Sequence, residues 1–171
     1  MVFDEGQGNV GELGLTDSKD HASVKIHPPI LLLIHIGIAF LLNWLLPLPI
    51  PTVIPKVYEW VGYGLVFTGL GFAFLAMNQF RKAHTTLDPH GSVSAVVTDG
   101  PYRISRNPIY FGLLCTLIGV PFVFGNFWGM MISPFFIFTI NRLVIKHEEA
   151  YLEEKFKDVY ASYKSRVRRW L

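Results

Sequence analysis

Four apolar runs, at about 30–46, 57–80, 109–124 and 127–145, decide what this chain can fold into. They lie at or near the roughly 17–25 residues a helix needs to cross a bilayer. Hydrophobic residues make up 51% of the 171-residue sequence and charged ones only 16%, where a soluble domain carries about a quarter charged residues. The expected fold is all-α: a polytopic membrane helical bundle of about four transmembrane helices plus a cytoplasmic C-terminal amphipathic helix at about 146–167. Residues 1–27 read as a polar cytoplasmic tail without the apolar stretch of a cleaved signal peptide, and 28–171 as the membrane domain. A net charge of +2 gives no case for nucleic acid, and one cysteine excludes an intramolecular disulfide.

The polar residues within and between the runs set the expected packing. Gly62, Gly69, Ala73 and Ala76 share one face of the second run, which lets another helix approach closely. Trp60 and Tyr63 suit the membrane interface. His35 is expected to bond a neighbouring helix, and Cys115 to be a small buried hydrophobe. Pro47-Leu48-Pro49-Ile50-Pro51 ends the first run, and Asp88-Pro89-His90-Gly91 marks a turn in the long 81–108 connection. Only Gly125-Asn126 separates the last two runs, so these must form an antiparallel hairpin. Arg and Lys concentrate in 81–108 and after Ile145. The positive-inside rule then puts both termini and the long connection on the cytoplasmic side.

One polar, aromatic and basic stretch stands out: Gly100-Pro101-Tyr102-Arg103-Ile104-Ser105-Arg106-Asn107-Pro108-Ile109-Tyr110. Asn107 reads as a helix N-cap through its side-chain oxygen, with Pro108 at the first helical position. In the last segment Leu152, Phe156, Val159, Tyr160, Tyr163 and Val167 recur at helical spacing, and the stripe extended backwards reaches Glu149, Glu148 and Ile145. A carboxylate on a buried stripe must be paired or hold a ligand. The hairpin returns these acids to the 100–110 stretch, giving a cytoplasmic-facing pocket of Tyr102, Arg106, Asn107, Tyr110 and Glu148. A helix N-terminus suits an anion, while tyrosine faces and a carboxylate suit a cation. The expected ligand is therefore both. Six histidines without metal-ligand spacing give no metal site, and no glycine-flanked serine nucleophile is present.

Val96-Val97-Thr98 with Gly100-Pro101-Tyr102, Arg106-Asn107-Pro108 with Tyr110, Glu148-Glu149 with Leu152 and Phe156, and Tyr160 with Tyr163 together resemble the isoprenylcysteine carboxyl methyltransferase family. The likeness is to its bacterial integral membrane branch, related to phospholipid N-methyltransferases, and spans about 28–171. It implies a bacterial inner-membrane enzyme with S-adenosylmethionine as cofactor, bound at Val96, Val97, Tyr102, Asn107, Pro108, Ile109, Tyr110 and Glu148. Arg106, Tyr110 and Glu148 would be the residues at the reacting centre. The methyl acceptor would be a lipidic or membrane-associated small molecule carrying a carboxylate, thiol or amine. Three positions depart from the family. Asn107 stands for the histidine of the prenylcysteine enzymes, Lys157 for a usual glycine, and Val144 for the arginine that takes the substrate carboxylate. Arg142, the nearest candidate for substrate binding, is two residues away and roughly 200° around the helix. Two other classes stay open: a non-catalytic lipid-binding scaffold, and a nicotinamide-dependent membrane reductase.

Overall fold

Proline opens α1 (Pro28–Leu45) and α3 (Pro108–Val123), where its fixed φ suits a first helical turn and its missing N–H leaves no bond unmade. These elements belong to a computed structural model that describes residues 26–48, 55–83 and 93–171. Residues 1–25 of the expected tail, most of the proline-rich turn and the Asp88-Pro89-His90-Gly91 turn lie outside the described residues. Between α1 and α3 runs α2 (Pro55–Lys82), and a 3₁₀ turn (Gly100–Arg103) leads into α3. After it, α4 (Trp128–Ile140) passes through a π-helical turn (Asn141–Ile145) into α5 (Lys146–Arg166).

The all-α membrane bundle holds. Three helices are long and apolar enough to cross a membrane: α1, Lys56–Lys82, and the continuous Trp128–Arg166, whose apolar half ends at Ile145. With 16 residues α3 is shorter, about 24 Å long at 1.5 Å per residue. Large apolar side chains point outward, as a lipid-facing surface requires: Leu33, Phe67, Phe74 and Phe135 are all exposed, and Trp60 and Tyr63 are exposed near the start of α2.

The helices run up and down. At one end Leu31 and Leu32 of α1 cluster with Tyr110 of α3 and with Ile140, Val144 and Ile145. At the other, the Trp128 indole N–H donates to Leu46 O at 2.8 Å. The small-residue face of α2 meets a matching face on α3. A Cβ on Gly69 would stand 2.5 Å from Gly112 O, and one on Gly62 would stand 2.8 Å from Gly119 O. The two backbones therefore touch, antiparallel, through glycines seven residues apart on each helix. Cys115 is buried and adjoins Gly69. The tight turn between α3 and α4 uses Gly125 at φ +66°. Beside it, fully buried Asn126 accepts from Trp128 N–H at 2.9 Å and donates to Ala39 O at 3.0 Å, joining the hairpin to α1. His35 sits in its expected role, buried and within 3.4 Å of Thr139 on α4.

One part of the periodicity reading needs correction. Lys157 interrupts α5 with φ +40° and ψ −114°, and the helix beyond it is re-phased. Tyr160 and Tyr163 stay buried, but Val159 is 63% exposed instead of lying on the apolar stripe. Positive φ costs an L-residue about 1–2 kcal/mol and glycine almost nothing. Lys157→Gly is therefore expected to stabilise the protein by about 1 kcal/mol, read as a raised midpoint of thermal unfolding in detergent.

Candidate functional site

The 93–107 connection is pinned along α5 before it turns into α3. Val93 N–H donates to the Tyr151 hydroxyl at 3.3 Å, and the Tyr163 hydroxyl donates to Tyr102 O at 2.7 Å. Val97, Tyr102, Tyr160 and Tyr163 form a buried cluster with Ala76, and Val96, Phe80 and Ile109 pack against it. Burial, then the neighbouring Tyr163 and Glu148, push the Tyr102 hydroxyl well above its ordinary range. It stays protonated, close to a carboxylate.

The two adjacent acids have different partners. Glu148 accepts a 2.6 Å hydrogen bond at Oε1 from the Tyr110 hydroxyl in the first turn of α3. Beyond the apolar run, burial pushes its carboxyl up to about 7, the Tyr110 bond opposes that rise, and Glu149 adds to it. Glu149 is instead committed to arginines. Its Oε1 lies 3.1 Å from Arg106 Nη2, with both side chains buried, and Arg169 holds it with Nε at 3.0 Å and Nη2 at 2.5 Å. Glu148 is thus the acid bonded to a tyrosine and not to an arginine among the described residues. Arg106 brings a second feature: its Nε and Nη1 are buried without a hydrogen-bond partner among the described residues. Orphaned donors of this kind carry the full desolvation cost of a polar group.

Of the expected site residues, Val96, Val97, Tyr102 and Ile109 share one cluster, Tyr110 bonds Glu148, Arg106 pairs with Glu149, and Pro108 opens α3. Asn107 is present but behaves differently from the expectation. It occupies the N-cap position of α3 without a side-chain cap bond, and its Nδ2 donates to Arg169 O at 2.9 Å. The carboxamide is drawn into a tertiary contact, and the first helical bond comes from Phe111 N–H to Asn107 O at 3.0 Å. Arg142 stands apart, exposed on the π turn with its guanidinium 5.7 Å from the Phe138 ring centre. Val144 is fully buried in the apolar cluster around Tyr110.

Sequence reasoning missed the segment after α5. Arg168 O accepts from Arg106 N–H at 2.9 Å, and Arg169 O also accepts from the Ser105 hydroxyl at 3.2 Å. Trp170 packs against the cluster that contains Tyr110. The available signal was the basic run Arg166-Val167-Arg168-Arg169-Trp170, whose Arg169 lies 20 residues beyond the acid on the buried stripe.

Residues 57–159 match the phospholipid methyltransferase family profile. A protein of Haemophilus influenzae described as uncharacterized is 43% identical over 63 residues, 37% of this chain and all of that protein. Protein-S-isoprenylcysteine O-methyltransferase of Schizosaccharomyces pombe is 28% identical over 114 residues, 66% of this chain and 48% of that enzyme. The matched stretch thus spans about half the length of the fission-yeast protein. No solved structure matches the chain.

Proposed function

Because the chain belongs to the phospholipid methyltransferase family, we propose that it transfers a methyl group from S-adenosylmethionine to a lipidic or membrane-associated small acceptor. The Tyr110–Glu148 contact carries this reading, together with the orphaned donors of Arg106, which pairs with the adjacent acid Glu149. S-adenosylmethionine has two cationic centres and a carboxylate, and this end of the bundle offers a carboxylate, tyrosine faces and buried guanidinium N–H groups. When bound, it supplies an electrophilic methyl group on a sulfonium sulfur. Glu148 balances the cationic part, with Tyr110 orienting its carboxylate through a hydrogen bond. The free N–H groups of Arg106 take the anionic part. Val96, Val97, Tyr102, Asn107, Pro108 and Ile109 form the wall, with the Tyr102 hydroxyl held protonated by burial.

Holding donor and acceptor in line supplies about 7–11 kcal/mol when the geometry is good, and that is the work these residues do. The acceptor's lipidic part enters from the apolar side, between helices, and the cofactor from the cytoplasm. The structure supports an amine or thiol acceptor over a carboxylate. Val144 offers no charge where the prenylcysteine enzymes carry their arginine, and Arg142 faces outward over Phe138. The test is transfer of tritium from methyl-labelled S-adenosylmethionine by purified protein to membrane lipids, quinones, thiols and prenylcysteines. Label should enter an amine- or thiol-bearing lipidic fraction with wild-type protein and, at cofactor concentrations near the wild-type Kd, far more slowly with Glu148→Gln. Absence of label in every fraction overturns the reading.

A further inference from the structure

The segment after α5 does more than cover the site. Its backbone fixes the motif at three points: Arg168 O takes the Arg106 N–H, and Arg169 O takes both the Ser105 hydroxyl and the Asn107 carboxamide. Its side chain acts on charge. Glu149 sits between two guanidiniums, Arg106 inside and Arg169 outside, with both of its oxygens held by Arg169. Arg106 and Glu149 are buried, while the Arg169 side chain is 40% exposed.

Arg106 contributes one nitrogen, Nη2, to Glu149, and its Nε and Nη1 have no partner among the described residues. A buried carboxylate with a single guanidinium neighbour draws in as many of its N–H groups as geometry allows, since each charge-assisted bond is strong in a dry site. We infer that Arg169 is a positioning residue: it satisfies Glu149 from the outside and so leaves two donors of Arg106 for the carboxylate of the ligand. The triad of two arginines and one glutamate carries one net positive charge, which matches one anionic group. This inference rests on the function proposed above.

Two measurements test it, one of them independent of any ligand. In unliganded protein, Arg169→Gln should speed hydrogen exchange at the Arg106 amide, which is bonded to Arg168 O, by at least about tenfold, with Arg169→Lys intermediate. In calorimetry, Arg169→Gln should weaken S-adenosylmethionine binding by about tenfold and Arg169→Lys should recover part of it. Decarboxylated S-adenosylmethionine, which lacks the anion, should bind wild type and Arg169→Gln alike. Equal loss with both ligands would mean a general structural role and overturns the inference, as does unchanged exchange in Arg169→Gln. If the wild-type protein binds neither ligand, the proposed cofactor falls. The exchange data then still decide whether Arg169 holds the motif.

Discussion

Glu148→Gln is expected to lower the affinity for S-adenosylmethionine by about 30- to 100-fold, since losing one partner of a desolvated charge pair costs about 2–3 kcal/mol or more and each 1.4 kcal/mol is tenfold. The substitution keeps the shape and the Tyr110 hydrogen bond while removing the charge. Calorimetry of detergent-purified protein reads the effect directly. The pH dependence gives an internal check. Burial has raised the Glu148 carboxyl to about 7, so below that pH it is protonated and cannot balance a cationic ligand. Wild-type affinity should fall as pH drops below about 7 and level off above it, while Glu148→Gln should show little dependence there. Stability should move the other way. In the unfolded chain the carboxyl ionises near 4.5, so between 4.5 and about 7 the folded state holds the extra proton. The native protein therefore loses stability as pH rises through that window. Above it, Glu148→Gln should be at least as stable as wild type by thermal unfolding. Loss of binding without loss of stability separates a ligand residue from a structural one.

The largest effect on stability is expected at the α2–α3 contact. Gly69→Leu places a Cβ 2.5 Å from Gly112 O, a backbone atom that cannot rotate away. The helices must separate or shift. Overpacking of this kind costs about 1–3 kcal/mol, occasionally more, and a backbone-to-backbone contact belongs at the upper end. Gly71→Ala is the control, because a Cβ there meets nothing within 4 Å. Its unfolding midpoint should stay the same or rise, since alanine is favoured over glycine in helices. The Gly69 variant should lose affinity as well, because α2 brings Ala76 and Phe80 against Tyr102, while α3 begins at the site with Tyr110.

How much of this was written in the sequence varies by element. The helix positions were legible because a bilayer demands long uncharged runs, and the observed ends fall within a few residues of the expected ones. The glycine face of α2 was legible for the same reason: small residues at i and i+7 have little other use in a lipid-facing helix. That the acids at 148–149 return to the 100–110 stretch was legible, because a carboxylate on an apolar stripe needs a partner or a ligand and the hairpin brings it back. Which of two adjacent acids would face the ligand was not, since that depends on Arg169 reaching Glu149 across 20 residues of chain. Neither was the use of Asn107, whose capping propensity was overridden by a tertiary acceptor, Arg169 O. The break at Lys157 was invisible to periodicity, because lysine carries no backbone signal, and the position of Val159 was misjudged with it.

The proposed activity requires that the carboxylate, tyrosines and arginine at this end of the bundle hold S-adenosylmethionine. The most direct measurement is a calorimetric titration of wild-type protein in detergent with S-adenosylmethionine and, separately, with NADPH. Saturable binding of S-adenosylmethionine alone is the predicted result. Binding of NADPH in its place, or of neither, would contradict it.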